Sequence, residues 1–179
     1  ELIEIIDGES ARIEQMAREF ALLGRLPEGP PSPIDVGELL EDLSKGIAGA
    51  VRVRVERPGD LPLVVGHYEP LRRAFQNLLL NACQACDAGS PDAEVVLSAR
   101  TAANGAAPAV TVLVRDNGAG IGAENLPRIF EPYFTTKSGG TGLGLALVRQ
   151  TISDHGGTIA VASEPGRGTT FTVTLPVAP

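Results

Sequence analysis

The chain has 179 residues, 22 acidic against 15 basic, a net charge of −7 and 43% hydrophobic side chains. That is enough for one domain with a short appendage, and too apolar for a disordered polyelectrolyte. The acidic balance excludes the clustered basic face that nucleic-acid binding needs, and no apolar run approaches the ~18 residues of a membrane span.

In chain order, Leu2, Ile6, Ile13, Met16, Phe20 and Leu23 step by four and three, with Glu9 as the single interruption. This is a heptad seam, which asks for a partner helix; an amphipathic helix docked on its own domain is the alternative. The stretch Gly24–Pro33 carries four prolines and stops any helix. Residues 1–26 therefore read as an appendage, 27–34 as a linker and 35–179 as the domain. Met16 is the only methionine, so the chain reads as part of something longer.

Asp35 is placed to cap a helix over Val36–Ile47. Val51–Arg57 alternates strictly, as a half-buried strand does, and Leu61–Val65 is a short second strand. A helix follows over Leu71–Cys86, with Pro70 near its start. Strands are predicted at Glu94–Arg100 and Ala109–Arg115, joined through the Gly/Ala/Asn-rich stretch 101–108. Residues 116–141 are irregular, and Leu143–His155 is a helix stopped by Gly156 and Gly157. Thr158–Ser163 and Thr169–Leu175 close the chain as a hairpin. Without regular β–α alternation, the class is α+β: a two-layer α/β sandwich, about five strands of mixed sheet against about three helices.

Three segments carry candidate chemistry. On the helix 71–86, Leu71, Phe75, Leu78, Leu79, Ala82 and Cys86 share one face, and Asn77, Asn81 and Gln84 share the opposite one. Those amides are either a solvated face or oxygen donors for Mg²⁺ beside phosphates. In Val112–Gly122 a strand ends in Asp116, and Gly118, Gly120 and Gly122 follow; this is either a capped turn or a close backbone approach to a ligand. Gly139–Leu145 opens a helix, where free N–H groups suit a phosphate. It follows no strand and lacks the Gly-Lys-Ser/Thr ending, so neither a P-loop nor a dinucleotide fold fits. Lys137, one of two lysines, is either a solvated loop residue or a charge for that site.

The order of segments is more telling than any one of them. Asn77-x-x-x-Asn81, Asp116-x-Gly118-x-Gly120-x-Gly122, Phe130–Lys137, Gly140-x-Gly142-x-Gly144 and Gly166-x-Gly168-Thr169 follow one another. The set resembles the N, G1, F, G2 and G3 boxes of sensor histidine kinases, within the ATPase family shared with gyrase, Hsp90 and MutL. The resemblance covers residues 35–177. Glu19–Pro27 and Asn81–Ala85 look most like the nitrogen-regulation subfamily.

The resemblance implies an ATP-binding catalytic domain of a protein-histidine kinase of a two-component system. Asp116 would accept from the adenine amino group, and Gly118, Gly120 and Gly122 would shape the pocket floor. Asn81 would ligate Mg²⁺, with Asn77 alongside as the second catalytic amide. Gly140, Thr141, Gly142, Leu143 and Gly144 would wrap the triphosphate, with Lys137 offsetting its charge and Thr169 approaching the adenine edge. Residues 123–141 would be a mobile lid. Residues 1–26 would be the second helix of a dimerisation and phosphotransfer hairpin. The implied partners are ATP, the parent's own histidine-bearing helix, a response regulator and, in the full-length protein, a second copy of the chain. The implied setting is the cytoplasmic portion of a bacterial sensor.

Three departures qualify that picture. Gln84 stands where many such kinases have a basic residue. His67 stands where an acid is familiar. Neither His67-Tyr68 nor His155-Gly156 matches the His-acid phosphoacceptor pair, so the chain alone is expected not to autophosphorylate. An ATPase or serine-kinase relative would carry a glutamate base at the position of Asn77, and an amide cannot take a proton. A non-catalytic nucleotide-binding scaffold is the third alternative. Cys83 and Cys86 have metal-ligand spacing but no second pair, and read as small core-facing residues. His155, at a helix end, reads as structural.

Overall fold

The computed structural model describes residues 29–47, 51–56, 59–86, 90, 92–104, 107–137 and 139–177, together with Ser10, Ile13, Glu14, Ala17 and Ala21. Those five isolated positions are helical and exposed. The predicted seam residues Leu2, Ile6, Met16, Phe20 and Leu23 lie outside the described residues.

The main sheet holds five strands in the order β2 (Arg52–Glu56), β4 (Glu94–Asn104), β5 (Ala107–Asp116), β7 (Gly168–Pro176) and β6 (Thr158–Glu164). The β2–β4 pair is parallel and the other three are antiparallel, so the sheet is mixed as expected. Three helices pack with it: α1 (Val36–Lys45), α2 (Tyr68–Ala85) and α3 (Gly144–Asp154). The core is one cluster between the layers, in which Leu71, Phe75, Leu78 and Leu79 of α2 meet Val110, Val112 and Val114 of β5. Burying each large side chain of this kind contributes about 1.5–3 kcal/mol.

Element ends shift from expectation for identifiable reasons. The Asp35 side chain accepts from the Glu38 N–H at 3.1 Å and caps α1 as predicted. The helix stops at Lys45, where the Gly46 N–H closes on carbonyls of the last turn. Helix α2 begins at Tyr68, ahead of Pro70. Proline is tolerated in a first helical turn because its missing N–H would have no intrahelical partner. The connection predicted over 101–108 is mostly strand: β4 and β5 stay paired out to Asn104 and Ala107.

One element was not anticipated. Ser32–Ile34, inside the stretch assigned to the linker 27–34, forms β1 and pairs antiparallel with β3 (Val64–Gly66). The strand expected at Leu61–Val65 thus sits at Val64–Gly66 and makes a separate two-stranded sheet.

The two histidines fasten α2 to α3. His155 is buried at the C-terminus of α3, and its Nδ1 lies 2.7 Å from the Thr151 carbonyl. Its Nε2 accepts the His67 backbone N–H at 2.9 Å, at the head of α2. A neutral ring protonated at Nδ1 satisfies both bonds at once. Cys86 is buried and Cys83 half-buried against the core, and burial pushes both thiols above the ordinary value.

Replacing His155 by alanine should therefore lower stability by about 1–3 kcal/mol, the cost of leaving a buried donor or acceptor unpaired. His67→Ala should cost much less, because His67 supplies only its backbone N–H to this contact. Urea denaturation of the two variants checks it; equal midpoints would show that the fastening contributes nothing.

Candidate functional site

Strand period places the acid. Val110, Val112, Val114 and Asp116 occupy one row of β5, facing the helices, so the carboxylate ends a row of core residues. Asp116 is only 3% exposed. Its Oδ1 accepts the Gly118 N–H at 2.9 Å and the Thr169 N–H at 3.2 Å. Burial raises its pKa, against the two N–H bonds and Lys137, which pull it down. Both N–H groups go to Oδ1, and among the described residues nothing donates to Oδ2.

The neighbouring strands end the same row in polar groups. On β7 the inward residues are Thr169, Phe171, Val173 and Leu175; on β6 they are Ile159, Val161 and Ser163. Ser163 and Thr169 are paired across the strands, and their hydroxyls lie 2.9 Å apart. The Ser163 hydroxyl donates to the Gly168 carbonyl at 2.9 Å and accepts the Ile121 N–H at 2.8 Å. Its single proton is thereby used, so Thr169 is the donor between the two hydroxyls and keeps its own lone pairs. Ser163 was not foreseen: alternation marks it as inward, but nothing local separates a site hydroxyl from a satisfied one.

The glycines turn out to serve the protein's own packing. A Cβ on Gly118 would run into the Ala85 carbonyl at the end of α2, and the next N–H, of Ala119, donates to that oxygen at 2.9 Å. Gly168 has φ +94° and lies against the Asp116 carbonyl, which no other residue could do without strain. Gly120 lies against Glu164, and the Gly122 carbonyl accepts the Asn125 N–H at 2.9 Å. Asn117 accepts the Glu94 N–H at 2.9 Å and donates to the Asp92 carbonyl at 2.6 Å, tying the loop to β4.

Across from this floor stands the polar face of α2. Asn77 and Asn81 are half-buried, and the Asn77 Nδ2 lies by Gly144, the first residue of α3. No side chain caps that helix, so its first-turn N–H groups point outward at the positive end of the dipole. Leu143 is fully buried and anchors the turn, while the Thr141 Oγ1 accepts the Leu143 N–H at 3.4 Å. The Gly142 carbonyl accepts from Tyr133 at 2.9 Å, and the Gly140 N–H donates to the Lys137 carbonyl at 3.2 Å.

The segment predicted to be a lid is held at its front by ring contacts. Phe130 meets Phe171 edge-on at 6.3 Å, the Arg149 guanidinium lies 5.6 Å from the Phe130 ring, and that of Arg128 lies 4.5 Å from Phe134. Further along, the Lys137 ammonium donates to Asn81 Oδ1 at 3.0 Å and Gln84 Oε1 at 2.7 Å. Desolvation of that ammonium holds its pKa below the ordinary lysine value, with Asp116 acting in the opposite sense. The structure thus links Lys137 to Asn81 by a direct bond and Thr169 to Asp116 by another, and sets Asn77 beside Gly144. Among the described residues no cluster of three His, Cys, Asp or Glu could hold a metal. The Asn81 amide oxygen already accepts a cation, and Mg²⁺ held by one carbonyl, water and phosphates needs no more.

Known proteins similar to this chain point to one family. A family model described as histidine kinase-, DNA gyrase B- and HSP90-like ATPase matches residues 66–179. The chain is 34% identical over 182 residues to sensor histidine kinase ZraS of Escherichia coli K12, covering 99% of this chain and 38% of ZraS. It is 34% identical over 189 residues to the sensory histidine kinase/phosphatase NtrB of Rhizobium leguminosarum bv. phaseoli, covering 98% of this chain and 49% of NtrB. It therefore spans less than half the length of these two relatives. The structure of full-length ShkA in complex with AMPPNP superposes with a TM-score of 0.76 at 27% identity, over 91% of this chain and 35% of ShkA. No helix among the described residues is long and apolar enough to cross a membrane. The chain belongs to the histidine kinase-, DNA gyrase B- and HSP90-like ATPase family, and its matched part is the ATP-binding catalytic domain of sensor histidine kinases.

Proposed function

We propose that this domain transfers the γ-phosphoryl of ATP to a histidine on a separate helix of its parent protein, for relay to a response regulator. The observation that carries this is the buried Asp116 carboxylate, whose Oδ2 meets no donor among the described residues, electrostatically coupled to Lys137, which in turn is bonded to Asn81 of α2. A carboxylate in that setting selects a ligand edge that donates, as the adenine amino group does. ShkA, crystallised with AMPPNP, supports ATP as the ligand.

Asp116 and Thr169 hold the base, the N–H groups opening α3 meet the phosphates, and Lys137 brings a positive charge against them. Mg²⁺, when bound, supplies further charge compensation, and Asn81 is the side chain that would hold it. Phosphoryl transfer needs positioning and charge compensation more than covalent chemistry from the protein. A neutral histidine already offers a lone pair, so no base is needed, and Asn77 offers none. Water or serine would need one, which disfavours an ATPase or a serine kinase. We assign residues 1–26 to the second helix of a dimerisation hairpin in a homodimeric parent, with the catalytic domain beginning in the region of β1. A cytoplasmic location fits the ATP requirement.

Two outcomes test this reading. Asp116→Asn should lower ATP affinity roughly 10- to 100-fold in calorimetry, the loss of one charge-assisted bond. It should leave the free protein at least as stable at pH 7. The Asp116 carboxyl is raised in the fold, so its contribution to stability is present below the ordinary carboxylate value and lost as pH rises through the folded value. The asparagine does not titrate, and its advantage should fade in acid. Wild-type ATP affinity in the variant would remove Asp116 from the base site. Separately, radiolabelled ATP incubated with the 179-residue chain alone should leave it unlabelled, because neither buried His155 nor His67 at the head of α2 is placed as an acceptor. Adding a peptide segment that carries a phosphoacceptor histidine from the parent should restore labelling. Acid-labile label on this chain alone would overturn the separate-acceptor reading.

A further inference from the structure

The contact between Lys137 and α2 is more specific than a lid needs in order to close. The ammonium donates to Asn81 at 3.0 Å and Gln84 at 2.7 Å, joining groups 56 and 53 residues apart in sequence. Asn81 and Gln84 are three apart on a helix and present their oxygens side by side. The lysine's own backbone is set in a turn: its N–H donates to Thr135 Oγ1 at 3.1 Å and its carbonyl accepts from Gly140 at 3.2 Å. No carboxylate among the described residues forms an ion pair with it. A positive charge is thus held on two neutral oxygens, one of which is the oxygen assigned above to the metal.

We propose that Lys137 is the site's resident cation, occupying the Asn81 oxygen until a metal–nucleotide complex displaces it, with Gln84 as the positioning residue that retains it at the site. The inference rests on the reading of Asn81 as the metal ligand. Two cations cannot share one amide oxygen at bonding distance without strong mutual repulsion. Metal arrival therefore requires the ammonium to leave Asn81, and Gln84 keeps it within reach of the phosphates. Gln84 is itself neutral, so the positive charge at this point of α2 comes from the lid. The lid is consequently closed before nucleotide binds, and the benefit of Mg²⁺ is reduced by the bond it must replace.

The test compares AMPPNP affinity with Mg²⁺ and with EDTA, alongside hydrogen exchange of the lid amides 123–137 without nucleotide or metal. The proteins are the unaltered chain, Lys137→Met, Lys137→Arg, Gln84→Ala and Asn81→Ala. In Lys137→Met the enhancement by Mg²⁺ should rise roughly tenfold and lid exchange should speed by a similar factor, the scale of one charge-assisted bond. Gln84→Ala should move both quantities the same way by less, and Lys137→Arg should keep exchange slow. Faster lid exchange with an unchanged Mg²⁺ enhancement would make Lys137 a tether only and overturn the cation exchange. So would no change in either quantity, while Asn81→Ala loses the enhancement. If Asn81→Ala keeps the full enhancement, the metal assignment itself fails and the exchange falls with it.

Discussion

A carboxylate on the core side of a sheet is the constraint from which much of the site's construction follows. Burying an ionised acid is costly unless hydrogen bonds replace its water. Asp116 ends the row Val110–Val112–Val114, and two backbone N–H groups converge on one of its oxygens. One comes from the turn after β5 and the other from the start of β7. Bringing both there forces Gly168 beneath the Asp116 carbonyl with positive φ, and presses Gly118 against the end of α2. The glycines of two motifs far apart in sequence are thus explained by one acid. The compensation is incomplete, since burial still raises the carboxyl. What the protein leaves unmet is what the proposed donating ligand would complete.

The same economy shapes the lid. Its front half is held by aromatic contacts, Phe130 on Phe171 and Arg128 on Phe134, which do not depend on nucleotide. Its rear half is held through Lys137 and through the Tyr133–Gly142 bond that leads into α3. Tyr133 adopts φ +66°, an uncommon conformation for an aromatic residue, at the point where the chain turns back. The segment is thus held at both ends, at its rear by a polar contact to neutral oxygens.

Periodic signals carried most of the fold. Strict alternation located β2, and the apolar stripe of α2 located the helix that bears the amides. Strand β1 escaped because Pro30, Pro31 and Pro33 read as a linker; a three-residue strand with proline is tolerated only in an edge position such as this small sheet provides. The far ends of β4 and β5 escaped because alanine, glycine and asparagine carry little strand preference, whereas register set by the paired valines carries the ladder onward. At the site, Asp116, Asn81 and the glycine segments were readable from motif order. Ser163 and the Lys137–Gln84 contact were not, because hydrogen bonds between hydroxyls on adjacent strands, or across more than fifty residues, leave no local trace. His155 was readable as structural, but its bond to the head of α2 was not.

The amides on α2 suit the charge balance better than acids would. The buried Asp116 carboxylate and the Lys137 ammonium are close enough that each shifts the other's titration. A carboxylate at position 77 or 81 would repel an incoming triphosphate and would hold Lys137 in a desolvated ion pair, which is hard to separate. An amide oxygen offers a cation a dipole and two lone pairs without adding charge. It holds the lysine here, and the exchange proposed above would need it to release the lysine to a more highly charged cation. It also cannot remove a proton from water, which under the proposed function would leave bound ATP unhydrolysed until a histidine is presented. Neutral amide oxygens in place of acids would thus serve both proposed roles, reversible cation binding and protection of the phosphoryl group.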